Sequence, residues 1–388
     1  MDIKSLDFEY IAGTYNRFPV EIVSGKGSLL RDNFGKEYID MGSGIGVNIF
    51  GAADDGWKSA VSEQLDKIQH TSNLYYSEPC VNLAALLCKK TGMSKAFFSN
   101  SGAEANECAI KAARKYGELK HGKDCFTVVT LKNSFHGRTL TNLAATGQEH
   151  YHELYQPLTP GFVSVSAEKP EELECVAKNT KIAAVLFECI QGEGGVIPIS
   201  HEYVKYLREF TEKNDILLMV DEVQTGNGRT GKLYSYMNYG IMPDVVTTAK
   251  GLGGGLPIGA TLLSKKIEDI FKFGDNGSTF GGNPICCAGA CNVINRLDES
   301  FLSEVARKGK MLSDMFFESP AIKEVTGQGL MIGLKTEKKA SDIIAECIAQ
   351  GVLCLPAKDR IRLLPPLNTP DDLLIKAAEI IIEASKGV

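Results

Sequence analysis

The sequence predicts an α/β protein: a large domain on a mainly parallel sheet, followed by a smaller α+β domain. Three observations carry this. Five short runs, at 96–100, 125–131, 182–190, 216–223 and 245–249, are almost wholly apolar, as strands covered on both faces must be. Helical periodicity separates several of them, and strand–helix–strand order implies parallel neighbours. From about Asn292 the pattern changes to helices with shorter strands. In chain order this gives an N-terminal segment over 1–50 that packs with the small domain. A large domain follows over 51–291, and the C-terminal small domain spans 292–388. The first run leads into a helix over 102–119, with Ala105, Cys108, Ala109, Ala112, Ala113 and Tyr116 on one face. Between the third and fourth runs, 201–213 has helical spacing, with Ser200 as its cap.

Composition narrows the function. The 388 residues are 44% hydrophobic and 23% charged, which excludes a disordered or fibrous chain. The net charge of −6 argues against nucleic acid as the partner. No apolar stretch is long enough to span a membrane, and the N-terminus lacks a secretion signal, so a cytoplasmic address is expected. The eleven cysteines contain no C-x-x-C pair and read as buried thiols in a reducing compartment. The histidines lack metal-ligand spacing; His150 and His152 lie in a polar turn, and no metal is expected. The 39 glycines are clustered, as they are where backbone approaches a ligand.

Ligands of open parallel sheets bind beyond the carboxyl ends of the strands. After the first run, Ser101 and Glu104 have capping-box spacing, and Gly102 and Ala103 leave the first helix amides uncovered. This is an anion site or an ordinary capped helix. After the second, Phe135, His136 and Arg138 share one loop; Phe135 could stack on a planar ring and Arg138 could clamp a carboxylate, unless Arg138 is merely solvated. Glu188 lies inside the third run and would be buried, which requires a partner. Glu193 follows on a glycine-rich turn, facing either a cavity or water. Asp221 ends the fourth run, where it would meet a cation such as a protonated pyridine nitrogen or cap a helix. Lys250 ends the fifth, and a buried lysine is a nucleophile toward aldehydes. The glycines after it match neither the Walker nor the dinucleotide pattern. Together these supply a phosphate cradle, a ring stacker, an acid for a pyridinium and an aldehyde-capturing amine, the parts that pyridoxal 5′-phosphate requires.

With these residues in view, the chain resembles the class III (ω-amino-acid) aminotransferases of the fold-type I pyridoxal phosphate enzymes, nearly end to end. Segments 101–105, 135–139, 221–226 and 278–284 carry the class resemblance; TYNRFPV at 14–20, HTSNLYY at 70–76 and IRLLPPL at 361–367 narrow it. The resemblance implies transfer of the δ-amino group of N-acetylornithine to 2-oxoglutarate in arginine biosynthesis, by a cytoplasmic homodimer. Ornithine, succinylornithine and 4-aminobutyrate are the alternative donors. It implies that Lys250 binds the cofactor covalently and later carries the proton, and that Asp221 keeps the ring nitrogen protonated. Gln224 would bond the ring hydroxyl, Phe135 stack on the ring, and Gly102 and Ala103 bind phosphate. Thr279 would complete the phosphate site of the neighbouring subunit, with Ser278 beside it facing substrate. Arg138 would bind the carboxylate of N-acetylornithine and Arg362 the α-carboxylate of glutamate or 2-oxoglutarate, with Glu193 covering Arg362 otherwise. Tyr15 is carried over as a further substrate contact. One departure stands out: where the family has Gly-His-x-His-Pro, this chain has Phe50-Gly51-Ala52-Ala53-Asp54-Asp55. A rival of another class, a non-catalytic aldehyde-binding protein on the same fold, is disfavoured by the joint presence of Lys250, Asp221 and both arginines.

Overall fold

The computed structural model describes residues 2–386. An exposed helix, Ile3–Tyr10, and an extended stretch lead to the antiparallel strands β1 (Ile22–Lys26), β2 (Leu29–Asp32) and β3 (Glu37–Asp40). Helices Asp55–Leu65 and Glu78–Thr91 follow, and then the large sheet begins. Its strands are β4 (Lys95–Ser99), β5 (Thr127–Leu131), β6 (Phe162–Val165) and β7 (Ile182–Phe187). A two-stranded ribbon, β8 (Ile190–Gln191) and β9 (Ile197–Pro198), precedes β10 (Leu217–Asp221), β11 (Val245–Thr248) and β12 (Gly259–Leu263). The sheet order is β4–β12–β11–β10–β7–β5–β6. Every pairing is parallel except those of β12, which runs antiparallel to both β11 and β4. Strands β5, β7, β10, β11 and β12 are buried along their whole length, which is why four of them read as continuous apolar runs.

The five expected runs fall on β4, β5, β7, β10 and β11, with shorter bounds. The third run stops at Phe187 because Glu188 turns its carboxylate onto the amides of Phe135 and Gly192. The fourth stops at Asp221, whose Oδ1 accepts from the Val223 amide at 2.9 Å and bends the chain. Strands β6 and β12 are additions: β6 is a half-buried edge, and β12 follows a glycine-rich stretch that reads as loop. The helix after β4 runs from Gly102 to His121 and buries all six residues assigned to its apolar face. Helix His201–Lys213 starts at Ser200, whose hydroxyl accepts from the Tyr203 amide.

Beyond helix Pro284–Arg296, which crosses position 291, come helix Glu299–Phe317, β13 (Ile322–Gln328), β14 (Met331–Thr336) and helix Ala340–Ala349. Then follow β15 (Val352–Leu353), β16 (Leu355–Ala357), β17 (Arg360–Leu363) and helix Asp371–Ser385. The second sheet is ordered β13–β14–β17–β16. Strand β15 instead joins the N-terminal strands, parallel to β3, so the two ends of the chain share a sheet. Arg229, fully buried, donates from the large domain to the carbonyls of Leu330 and Pro365. In the departure segment, Ala52 bridges Gly27. There too Asp54 caps helix Asp55–Leu65 and pairs with Arg296 at 2.6 Å. Among the described residues all eleven cysteines are free, no cluster could hold a metal, and no helix is long and apolar enough to cross a membrane.

Candidate active site

A cavity of about 420 Å³ opens at the carboxyl ends of β4, β5, β7, β10 and β11. Residues from the loop after each strand line it: Gly102 and Ala103, Phe135 and His136, Glu188, Asp221 and Gln224, and Lys250. Because β12 is reversed, its starting end lies on the same edge, and Gly255–Ile258 close the wall there. A larger, more open hollow of about 840 Å³ under the 147–161 loop contains none of Lys250, Asp221, Phe135 or Arg362.

Lys250 projects from a 3₁₀ turn at the end of β11, with a left-handed φ of +46°. That conformation costs a non-glycine residue roughly 1–2 kcal/mol. Lys250 lines the cavity. Burial pushes its ammonium below the usual lysine range and Arg362 adds to this, while Glu193 and Asp221 oppose it. A larger share of free amine results, the form that attacks a carbonyl.

Asp221 is held by three donors. Its Oδ2 accepts from Asn106 Nδ2 at 2.7 Å and from His136 Nδ1 at 2.8 Å, and its Oδ1 from the Val223 amide. Donors on both oxygens fix the carboxylate's orientation. Thr247 Oγ1 donates to Asn106 Oδ1 at 2.6 Å, which fixes the amide so that its nitrogen points at Asp221. Asn106 was not singled out in the sequence, and His136 was noted but given no task. The available signal was a polar side chain one turn into the helix, next to the apolar Ala105, Cys108 and Ala109.

At the other end of the cavity, Ser101 Oγ accepts from the Glu104 amide, and Glu104 reaches back to the Asn100 amide at 2.7 Å. The first helical amides have no intrahelical acceptor, and those of Gly102 and Ala103 border the cavity. A Cβ on Gly102 would lie 2.6 Å from Val223, so this terminus has to stay bare. Ser278 Oγ accepts from Asn100 Nδ2 at 3.2 Å, adjoining the same wall.

Glu188 is buried without a cation; the Phe135 and Gly192 amides are its partners. Burial and then the neighbouring Asp221 raise its carboxyl well above the usual range. Glu193 is ion-paired rather than free: it accepts from Arg362 Nη1. Burial raises its carboxyl, but Arg362 and Lys250 outweigh that and hold it below the ordinary value. Arg362 Nη1 also donates to Gln224 Oε1 at 3.0 Å, and Arg362 itself is buried.

The remaining sequence-marked residues stand outside the cavity of this chain. Arg138 is exposed, its guanidinium 4.8 Å from the Tyr151 ring and 5.9 Å from that of Phe135. Thr279 and Tyr15 are exposed and line no part of the cavity. The groups that do meet in it are bare helix amides, a flat aromatic ring, a carboxylate held as an acceptor and an amine of lowered basicity. They fit pyridoxal 5′-phosphate.

Known proteins resemble this chain along nearly its whole length. The model of the family described as aminotransferase class-III matches residues 10–384. The acetylornithine aminotransferase of Haemophilus ducreyi is 45% identical over 98% of both chains. That of Methanocaldococcus jannaschii is 41% identical, also over 98% of each. Among solved structures, N-acetylornithine aminotransferase from Stenotrophomonas maltophilia superposes with a TM-score of 0.85 at 34% identity, over 98% of this chain and 97% of that one. Ornithine aminotransferase from Toxoplasma gondii superposes with 0.94 at 30% identity, over 98% and 94%.

Proposed function

The chain belongs to the class-III aminotransferase family, and from that premise we propose that it moves the δ-amino group of N2-acetyl-L-ornithine to 2-oxoglutarate. The products are N-acetyl-L-glutamate 5-semialdehyde and L-glutamate, a step of arginine biosynthesis. When bound, pyridoxal 5′-phosphate supplies an aldehyde that takes up the amine and a ring that withdraws electrons from the reacting carbon. Lys250 would hold the cofactor covalently, and its amine would move the proton at the reacting carbon. Asp221 would hold the proton on the ring nitrogen. Gly102 and Ala103 would offer amides to the phosphate, Gln224 would meet the ring hydroxyl, and Phe135 would pack against the ring. Arg138 takes the carboxylate of N-acetylornithine. The enzyme works in the cytoplasm as a homodimer, in which Thr279 of the partner subunit completes the phosphate cradle. Ser278 and Tyr15 adjoin the substrate path.

The observation that carries this reading is the Arg362–Glu193 ion pair beside Lys250. N-acetylornithine brings a neutral chain beside its reacting amine, whereas glutamate brings a carboxylate. A permanently bare Arg362 would favour glutamate and be left buried and unpaired with N-acetylornithine. Glu193 pairs with Arg362 in the first half-reaction and leaves it in the second. Single-turnover rates test this. Glu193→Ala is expected to speed the glutamate half and slow the N-acetylornithine half, and Arg362→Ala to damage chiefly the glutamate half. Equal losses in both halves for Glu193→Ala would make it a structural turn acid. Lys250→Ala is expected to lose turnover by orders of magnitude, together with the borohydride-sensitive visible absorption of the enzyme. A second reading, ornithine as the donor, draws on the TM-score of 0.94 to an ornithine aminotransferase. Comparing kcat/KM on N-acetylornithine, ornithine, succinylornithine and 4-aminobutyrate decides between them.

A further inference from the structure

Gln224 does more in this structure than face the cavity. Its Oε1 accepts from Arg362 Nη1 at 3.0 Å, and its Nε2 lies 3.5 Å from Glu193 Oε1. Glu193, Arg362 and Gln224 thus form a closed triangle. The triangle rests on Gly192: a Cβ built there would stand 2.5 Å from the Cδ, Oε1 and Nε2 of Gln224. The Gln224 amide therefore lies flat on the bare Gly192 peptide, in space that any side chain would take. Gly192 is not among the residues of positive φ, so its missing side chain answers to this contact and not to backbone conformation. The other polar contact of the guanidinium is a long one, from Nη2 to the Pro356 carbonyl at 3.4 Å, and its Nε is buried without a partner.

We propose that Gln224 is a positioning residue for the dicarboxylate half-reaction, the second acceptor that keeps Arg362 aimed at the substrate when Glu193 has moved away, and that Gly192 is glycine to admit it. The inference rests on the function proposed above. Without the Gln224 oxygen, Arg362 would lose both good acceptors as Glu193 swings off, and a buried guanidinium would have to find new ones before it could receive a carboxylate. With it, one nitrogen stays fixed while the bond vacated by Glu193 opens toward the substrate. The triangle thereby sets which carboxylates the pocket accepts, through Arg362 and not by touching the reacting atoms.

The test uses the holoenzyme with Gly192→Ala, which pushes the amide aside, and Gln224→Met, which keeps its bulk without its polarity. Equilibrium binding of glutarate, a dicarboxylate that can neither give nor take an amino group, is followed by calorimetry. Single-turnover titrations with glutamate and with N-acetylornithine accompany it. Loss of one hydrogen bond to a charged group predicts glutarate and glutamate binding weakened about tenfold or more in either variant. N-acetylornithine binding should stay within about twofold in Gly192→Ala, because the displaced Gln224 amide has no contact assigned with that substrate. The double variant should be no weaker than Gln224→Met alone, because both changes remove the same contact. Unchanged glutarate binding, equal weakening of both substrates in Gly192→Ala, or additive losses in the double variant would overturn the inference. If the parent enzyme fails to use glutamate at all, the proposed function falls. If it does use glutamate and the variants bind glutarate like the parent, only the role of Gln224 falls.

Discussion

Asp221 is fixed in place because Asn106, His136 and the Val223 amide all converge on it, and a buried carboxylate that borders the cavity suits a cationic partner. Asp221→Asn preserves the shape and removes the charge. We expect this variant to retain cofactor but to slow proton abstraction by orders of magnitude; stopped-flow spectra of the half-reactions check it. Glu193 gives a pH signature. Its carboxyl titrates below the ordinary 4.5 in the folded protein, where the attraction of Arg362 and Lys250 outweighs burial. A folded value below the unfolded one means that the ion pair adds stability above about pH 4.5, and that this is lost as pH falls through the folded value. The melting-temperature gap between the parent and Glu193→Gln is therefore expected to be widest above pH 4.5 and to close below it, as calorimetry would show. At this scale the sequence was legible where an ionisable group ended an apolar run, as Lys250 and Asp221 do. It was silent on Asn106, because a lone amide on a helix looks like any other until Thr247 and Asp221 are seen around it.

The helix Gly102–His121 joins the anion-binding end of the cavity to the core. Its cap is Ser101, so Ser101→Ala is expected to cost about 1 kcal/mol of stability and to weaken cofactor retention, since the same turn presents the Gly102 and Ala103 amides. Fluorescence titration of apoenzyme with cofactor, alongside urea unfolding, separates the two effects. Further along, a Cβ on Gly117 would lie 2.2 Å from the Cys125 carbonyl oxygen. Gly117→Ala consequently needs backbone movement, and we expect roughly 1–3 kcal/mol of destabilisation, read as a lower urea midpoint. Elements were readable in proportion to how completely the sheet is covered. β5, β7, β10 and β11 announce themselves by runs that are mostly apolar or β-branched. The edge strand β6 is half-buried and mixed in composition, so no such run marks it. β12 is fully buried but hides behind Gly251–Gly255, whose glycines serve the Lys250 turn and mimic a loop.

For the whole molecule, one group of exposed apolar side chains lies close together. Asn73 Nδ2 donates to the carbonyls of Ser278 and Gly281, and His70 lies 5.4 Å from Phe280. The exposed Leu74, Tyr75 and Tyr76 thus sit beside the exposed Phe280 and Thr279. Exposed apolar side chains this close together are what the proposed homodimer would cover, and beside them lies the segment assigned to a neighbouring phosphate site. Thr279→Ala is expected to weaken cofactor binding, and dilution below the dimer threshold to abolish activity; a fully active monomer in sedimentation would contradict this. The overall architecture was legible from the order of runs, whereas the pairing of β15 with β3 was not, since two residues of strand leave no pattern. The reversal of β12 also bears on how the chain is made. β4 stands at the edge of its sheet, and β12 is its one strand neighbour there. During synthesis from the N-terminus, Phe97 and Phe98 are complete long before Gly259–Leu263 exist. At ordinary elongation rates that interval is roughly ten to thirty seconds. Throughout it a sticky strand waits beside the ribosome with nothing to pair with, and the Gly102 turn that follows it cannot take its final place. A ribosome stalled before Leu263 is therefore expected to hold a chain whose β4 has no strand to pair with, a state open to aggregation.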